Sequence, residues 1–136
     1  RAEKQSVRTA EFPDFIISGE KDLMISVFTN LLDNARKALT EGGRIRIRAR
    51  QYKDRYLLCI MDNGCGMEQK EISRITEAFY MVDKSRARKE GGAGLGMTLC
   101  SRILALHQVW WRIFSIPGKG TVIAMQFEKE EPKPCP

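Results

Sequence analysis

The sequence predicts an α/β domain, and three observations predict it. Apolar residues recur at three- and four-residue steps over residues 22–39 and again over 95–107, the period of helices packed along one side. Between them RIRIRAR, residues 44–50, alternates strictly and leads through a turn into the apolar run 56–61, as paired strands do. After the second helix, residues 109–116 and 121–127 flank Pro117-Gly118-Lys119-Gly120 and read as a hairpin.

Taken in order, residues 1–13 are polar, end at Pro13 and read as a linker remnant. They are charged and lack an apolar core segment, so no signal peptide is visible, and the absence of a starting Met suggests a fragment of something longer. Residues 14–18 form an expected short strand closed by Gly19. Asp22, preceded by Glu20, is the expected N-cap of the first helix, and Gly42-Gly43 stops it.

That helix carries the first unusual feature. Asn30, Asn34 and Lys37 fall at i, i+4 and i+7, a polar seam beside the apolar face. A carboxamide oxygen suits a hard cation and an ammonium suits phosphate. A solvated polar face that happens to hold two asparagines is the plain alternative.

Arg44, Arg46, Arg48 and Arg50 give the next strand a wet basic face, with Ile45, Ile47 and Ala49 on the other side. No aromatic is interleaved for base stacking, which argues against a nucleic-acid stripe. Lys53-Asp54-Arg55 makes a turn. Residues 56–61 are nearly unbroken apolar, as expected of a strand buried on both faces. They run into Asp62-Asn63-Gly64-Cys65-Gly66-Met67. A carboxylate there can accept from an exocyclic amine on a base, and alternate glycines let a flat ring approach the backbone. A tight turn capped by Asp is the competing account.

Residues 68–76 read as a short helix. Residues 80–94 are polar, charged and then glycine-rich, a mobile loop with Lys84, Arg86, Arg88 and Lys89. Gly92, Gly94 and Gly96 lead into the second long helix, whose expected core contacts are Leu99, Ile103, Leu104 and Leu106. A glycine-rich loop opening onto a helix N-terminus favours anions. It is neither a Walker loop nor a dinucleotide fingerprint, because no Gly-Lys-Ser/Thr and no preceding strand accompany it. One of Trp110 and Trp111 is expected inward and the other at a rim. Gly118 and Gly120 read as turn glycines only. Residues 128–136, EKEEPKPCP, should fray.

Composition bounds these readings. At 136 residues, 43% hydrophobic and 29% charged, the chain suits one soluble globular domain. A net charge of +6 permits an anionic partner without identifying one. No apolar run approaches the ~20 residues that cross a bilayer. Cys59, Cys65, Cys100 and Cys135 form no C-x-x-C pair and no His stands at ligand spacing, which argues against zinc and for a reducing compartment.

Four blocks together resemble one family. Residues 30–38, NLLDNARKA, are similar to its N box. DNGCGM at 62–67 resembles its first glycine box. Ala78-Phe79-Tyr80, followed by VDKSR, resembles its F box and lid, and GAGLGM at 92–97 its second glycine box. In this order and over residues 23–127 the chain looks like the ATP-binding catalytic domain of a two-component sensor histidine kinase, in the gyrase, chaperone, histidine kinase and MutL superfamily.

The resemblance implies a two-layer α/β sandwich, a mixed sheet of about five strands with three helices on one face and a flexible ATP lid. The domain would span 14–128, with the lid at about 80–95 and a disordered tail at 129–136. It implies ATP and Mg2+. Asp62 would accept from the adenine amine, and Gly64 and Gly66 would admit the ring, with Met67 beside them. Asn34 would hold Mg2+, Asn30 would flank it and Lys37 would contact phosphate, the three forming the catalytic set. Phe79 would anchor the lid hinge, with Tyr80, Lys84 and Arg86 binding from the lid. Gly92, Gly94 and Gly96, with Leu95 between, would bring N–H groups to phosphate. Thr121 joins the nucleotide-binding set.

In the superfamily's ATPases the residue at the Asn30 position is a carboxylate that activates water. Asn has no basic lone pair for that role. The implied reaction is therefore γ-phosphoryl transfer to a His on a separate dimerisation domain of the same parent. A response regulator would act downstream, with neither nucleic acid nor direct membrane contact. The parent would be membrane-anchored and the domain cytoplasmic. His107 sits where the family often has a structural His. Two departures stand out: Met81 replaces a frequent Arg, and Gln108-Val109 replace glycines. The alternatives are an ATPase of this superfamily, a non-catalytic nucleotide-sensing or docking module, and a nucleic-acid binder using the arginine face.

Overall fold

The computed structural model describes residues 6–9, 16–76 and 93–129. In chain order these form β1 (Ser6–Thr9), α1 (Lys21–Ala38), β2 (Arg44–Gln51), β3 (Arg55–Asp62), α2 (Gln69–Thr76), α3 (Ala93–Leu106), β4 (Trp110–Ile116) and β5 (Gly120–Glu128). The strands make one sheet in the order β1-β2-β3-β5-β4. β1 lies parallel to β2 and every other pair is antiparallel, so the sheet is mixed, as expected.

Period-2 alternation decides which face the helices cover. Tyr56, Leu58 and Ile60 of β3 pair with Phe127, Met125 and Ile123 of β5, and all six are buried. Val27 and Leu31 of α1 and Cys100 and Leu104 of α3 are fully buried in the same cluster. The alternate β3 residues Leu57, Cys59 and Met61 are only half-buried. The expectation that β3 is buried on both faces is therefore corrected: its apolar run faces the helices with every second residue only.

The first strand also differs from expectation. It comes from the presumed linker, at Ser6–Thr9, in register Ser6↔Arg44 to Thr9↔Ile47. Residues 16–18, the described part of the expected strand, form none; Ile17 packs against the core on the way into α1. The edge of β2 takes the segment whose backbone runs alongside it. The helix entry needs the other segment.

α1 begins at Lys21, two residues before the start that an Asp22 cap implies. Glu20, not Asp22, is its N-cap, and its Oε2 accepts from the Leu23 amide at 2.8 Å. Asp22 lies in the first turn, where its charge suits the helix dipole.

α3 takes in part of the glycine-rich loop. It starts at Ala93, so Gly94 and Gly96 are helical and only the remainder of the expected lid precedes it. Its buried stripe is Met97, Cys100, Ile103 and Leu104. Leu99 and Leu106, expected in the core, are 46% and 77% exposed, because seven-residue spacing puts them together on the face away from α1 and the sheet.

The end of α3 explains the departure at Gln108. Val109 N–H donates to the Leu104 carbonyl at 2.9 Å and Gln108 N–H to that of Ala105 at 3.0 Å, a Schellman closure. Gln108 takes the left-handed position that closure requires, at φ +57°. His107 closes the same corner. Its Nδ1 lies 2.8 Å from the Ile103 carbonyl, and its Nε2 accepts from the Glu20 amide at 3.0 Å. With the proton on Nδ1, both nitrogens are satisfied, and the ring ties the start of α1 to the end of α3. Trp110 is 45% exposed while Trp111 packs against the core.

Candidate active site

Asn30, Asn34 and Ala38 rise along one side of α1 at four-residue steps, about 12 Å from end to end. At the Asn30 end stands α3. A Cβ placed on Gly96 would lie 3.4 Å from Asn30 Oδ1, so the second glycine box and the N box touch there. Asn30 Nδ2 reaches back to Ser26 Oγ at 3.5 Å. At the Ala38 end stands the first glycine box. Cys65 N–H donates to the Ala38 carbonyl at 3.0 Å, and a Cβ on Gly64 would collide with that same oxygen. Only glycine lets the loop lie this close to the last turn of α1.

Between the two ends Asn34 Nδ2 is buried without a hydrogen-bond partner among the described residues. A buried amide left unpaired is costly, and turning it over offers the carboxamide oxygen at the same point.

Lys37 is committed differently. Its Nζ lies 3.1 Å from Asp33 Oδ2, with Arg36 on the other oxygen at 2.8 Å. These partners, Arg36 first, hold the Asp33 carboxyl below its usual range. Lys37 thus stands on the seam with its charge shared by its own helix.

Asp62 ends β3 on the helix-facing side. Burial pushes its carboxyl above the ordinary range, while the backbone N–H groups of Gly64 and Thr121 pull it partly back. The Gly64 bond is 2.9 Å. Thr121 is Asp62's register partner on β5 and is itself buried, and Ser115 of β4 pairs with Thr121 in turn. The Ser115 and Thr121 hydroxyls lie 2.7 Å apart. Ser115 also accepts from Met67 N–H at 2.8 Å and donates to the Gly120 carbonyl at 2.9 Å. Three adjacent strands therefore end in a polar row, and Ser115 ties Met67 of the glycine box to it.

Gly66 sits at φ +70° against the Ile116 carbonyl, where it locks the box onto the β4–β5 turn. Gly120, read from sequence as a turn glycine only, has φ +138°, and a Cβ there would strike the Asp62 carbonyl. It fixes how closely β5 approaches the end of β3 at Asp62. Gly94 and Leu95 lie in the first turn of α3, whose leading amides have no partner within the helix. Phe79, Tyr80, Lys84, Arg86 and Gly92 lie outside the described residues.

Two positioning roles escaped the sequence reading. Ser115 is a polar residue in a core-facing strand position, following Trp111 and Ile113 at alternate places, and that break in pattern was its signal. Asn63, marked in the sequence only as part of the glycine box, accepts from the Arg44 amide at 2.6 Å and braces the box against β2.

Comparison with known proteins identifies the family. Residues 19–131 match the model of the histidine kinase-, DNA gyrase B-, and HSP90-like ATPase family. The phosphate regulon sensor protein PhoR of Pseudomonas aeruginosa is 37% identical over 115 residues, 85% of this chain and 26% of that protein. The sensor histidine kinase WalK of Bacillus subtilis is 30% identical over 129 residues, 92% of this chain and 21% of that protein. The chain thus spans about a quarter or less of these relatives. Among solved structures, a mycobacterial sensor histidine kinase, MprB, superposes with TM-score 0.71 at 23% identity, over 93% of this chain and 81% of that one. The catalytic domain of histidine kinase ThkA gives 0.71 at 19% identity, over 93% and 78%. The chain belongs to the histidine kinase-, DNA gyrase B- and HSP90-like ATPase family, as an ATP-binding catalytic domain of the sensor histidine kinase type.

Proposed function

We propose that this domain binds Mg-ATP and presents its γ-phosphoryl group to a histidine on a separate dimerisation domain of the same parent protein. The observation that carries the reading is the buried, unpartnered Asn34 amide midway between Gly96 and the Gly64–Asp62 loop. Asp62 accepts from the adenine amine and so selects adenine. The Gly94–Gly96 amides at the start of α3 take phosphate oxygens. Lys37 exchanges part of its bond to Asp33 for phosphate.

Among the described residues no three His, Cys, Asp or Glu side chains converge on a metal position. A hard oxygen donor such as Asn34 fits Mg2+, which relies mainly on substrate phosphates and water. The ion would be held by Asn34 and would neutralise phosphate charge.

Transfer proceeds by attack of the partner's imidazole nitrogen on the γ-phosphorus. An N–P bond forms, the bond to the β–γ bridging oxygen breaks, and ADP leaves with that electron pair. The imidazole then gives up its proton. Asn30 leaves water unactivated, which preserves ATP for the partner. The parent is a membrane-anchored sensor with this domain in the cytoplasm, and a response regulator receives the phosphoryl group.

The test is a calorimetric titration of ATP with and without Mg2+, followed by transfer to an added acceptor domain. Saturable binding without sustained turnover heat is expected. Asp62→Asn should abolish binding in a folded protein. Asn34→Ala should remove the Mg2+-dependent increment and stop transfer. Sustained heat would replace the kinase reading with an ATPase, and normal binding by Asp62→Asn would remove the adenine assignment.

A further inference from the structure

The face of the sheet turned away from the helices has a built shape. Its β2 border is the column Arg44, Arg46, Arg48 and Arg50, all exposed. Its β4 border is Trp110, Phe114 and Ile116, respectively 45%, 54% and 59% exposed, with Arg112 stacked 5.2 Å over the Trp110 ring. Between them the floor on β3 and β5 carries Leu57, Cys59 and Met61 opposite Gln126, Ala124 and Val122, side chains shorter than the arginines of the β2 border and lowest at the Cys59–Ala124 row. Cross-strand register fixes this layout: Arg46–Met61–Val122–Phe114 is one row and Arg48–Cys59–Ala124–Arg112 the next.

At the ordinary strand spacing the two borders are about 14 Å apart. An α-helix with its side chains is about 10–12 Å across. Among the described residues, none of the four β2 arginines has a carboxylate partner, and no helix lies on this face. A depression of about 180 Å³, lined by Arg44, Ile45, Arg46, Met61, Asp62 and Asn63, lies at the end of β2 and β3 beside this face.

We propose that this trough docks an amphipathic helix of a partner protein, apolar on its underside and acidic along one flank. The underside lies on the Cys59–Ala124 floor, the apolar shoulder meets Trp110 and Phe114, and the acidic flank meets the arginines. Alternate arginines along β2 are about 6.7 Å apart. Acidic residues at four-residue helical steps are about 6 Å apart. The two charge ladders therefore run nearly in step. A flat bilayer cannot follow a trough whose charged and aromatic borders stand on opposite sides. Among the described residues, a second copy of this face brings more arginines and only Glu128, at one end, to meet them.

The probe is a synthetic helical peptide with Leu on one face and Glu at i, i+4, i+8 and i+12 along one flank. Its controls are a scramble of identical composition and phosphatidylcholine vesicles containing phosphatidylserine. Binding is read on the whole chain by titration and by site-resolved alkylation of Cys59. The peptide should bind saturably, shield Cys59 and outcompete its scramble. The Arg46→Glu, Arg48→Glu double variant should lose at least about tenfold in affinity, and Phe114→Ser a similar factor. A Lys-flanked peptide should recover binding to the charge-reversed variant, which separates lost docking from lost folding. Equal binding of scramble and peptide overturns the proposal. So does indifference to charge reversal, shielding of Cys59 by vesicles alone, or shielding by self-association in sedimentation.

Discussion

The helix-facing side of the sheet has two ends that share strands yet obey different rules. At one end Tyr56 and Phe127 pair across β3 and β5, and the Phe28 ring lies 6.4 Å from Phe127 at a tilt of 40°. At the other end, six residues further along β3, the same face carries Asp62, then Thr121 and Ser115 on the next two strands. The aromatic end places apolar surface where burial stabilises it. The polar end places a carboxyl where burial opposes its charge. One continuous sheet thus concentrates stability at one end and leaves the other free to hold groups that folding alone would not choose.

The largest expected effect tests the stable end. Phe127 is 2% exposed, and Phe127→Ala should cost about 3–5 kcal/mol in urea unfolding. Ligand affinity, measured where the variant is still folded, should change little. A cost below about 1 kcal/mol would mean that the aromatic end is not where stability resides. Ser115→Ala should cost less, about 1–3 kcal/mol, because Met67 N–H and the Thr121 hydroxyl lose a common partner. It should also weaken ATP binding, since the glycine box loses its tie to β4. Lost stability with intact binding would show that the row braces the sheet alone.

Much of this was legible in the sequence where one residue type has one physical use. The seam of Asn30 and Asn34, the carboxylate after an apolar run and the strict alternation of residues 44–50 all announced themselves, and the helices and hairpin fell where periodicity put them. Long-range fit was less legible. Gly120 looks like any turn glycine until the Asp62 carbonyl is seen beside it. Ser115 matters because three strands bring Met67, Gly120 and Thr121 to one hydroxyl. β1 was missed because four residues without a strong pattern pair only where β2 offers an edge. Leu99 and Leu106 were misplaced because a leucine-rich helix has more apolar residues than its buried stripe can use.

The smallest effect has the most informative sign. Burial raises the folded Asp62 carboxyl above its unfolded value. Between those two values the native state holds more protons than the unfolded chain, so stability falls as pH rises through the window. Above the window Asp62 is ionised in both states and its full cost remains. Asp62→Asn removes that cost and keeps an oxygen for the Gly64 amide. The variant should therefore match the parent's thermal stability at low pH and gain on it as pH passes through the window. The gain should stay within roughly 1 kcal/mol. ATP binding should be lost over the whole range. A variant less stable than the parent at neutral pH would mean that the Gly64 and Thr121 amides outweigh burial, and the two ends of the sheet would then differ in ligand alone.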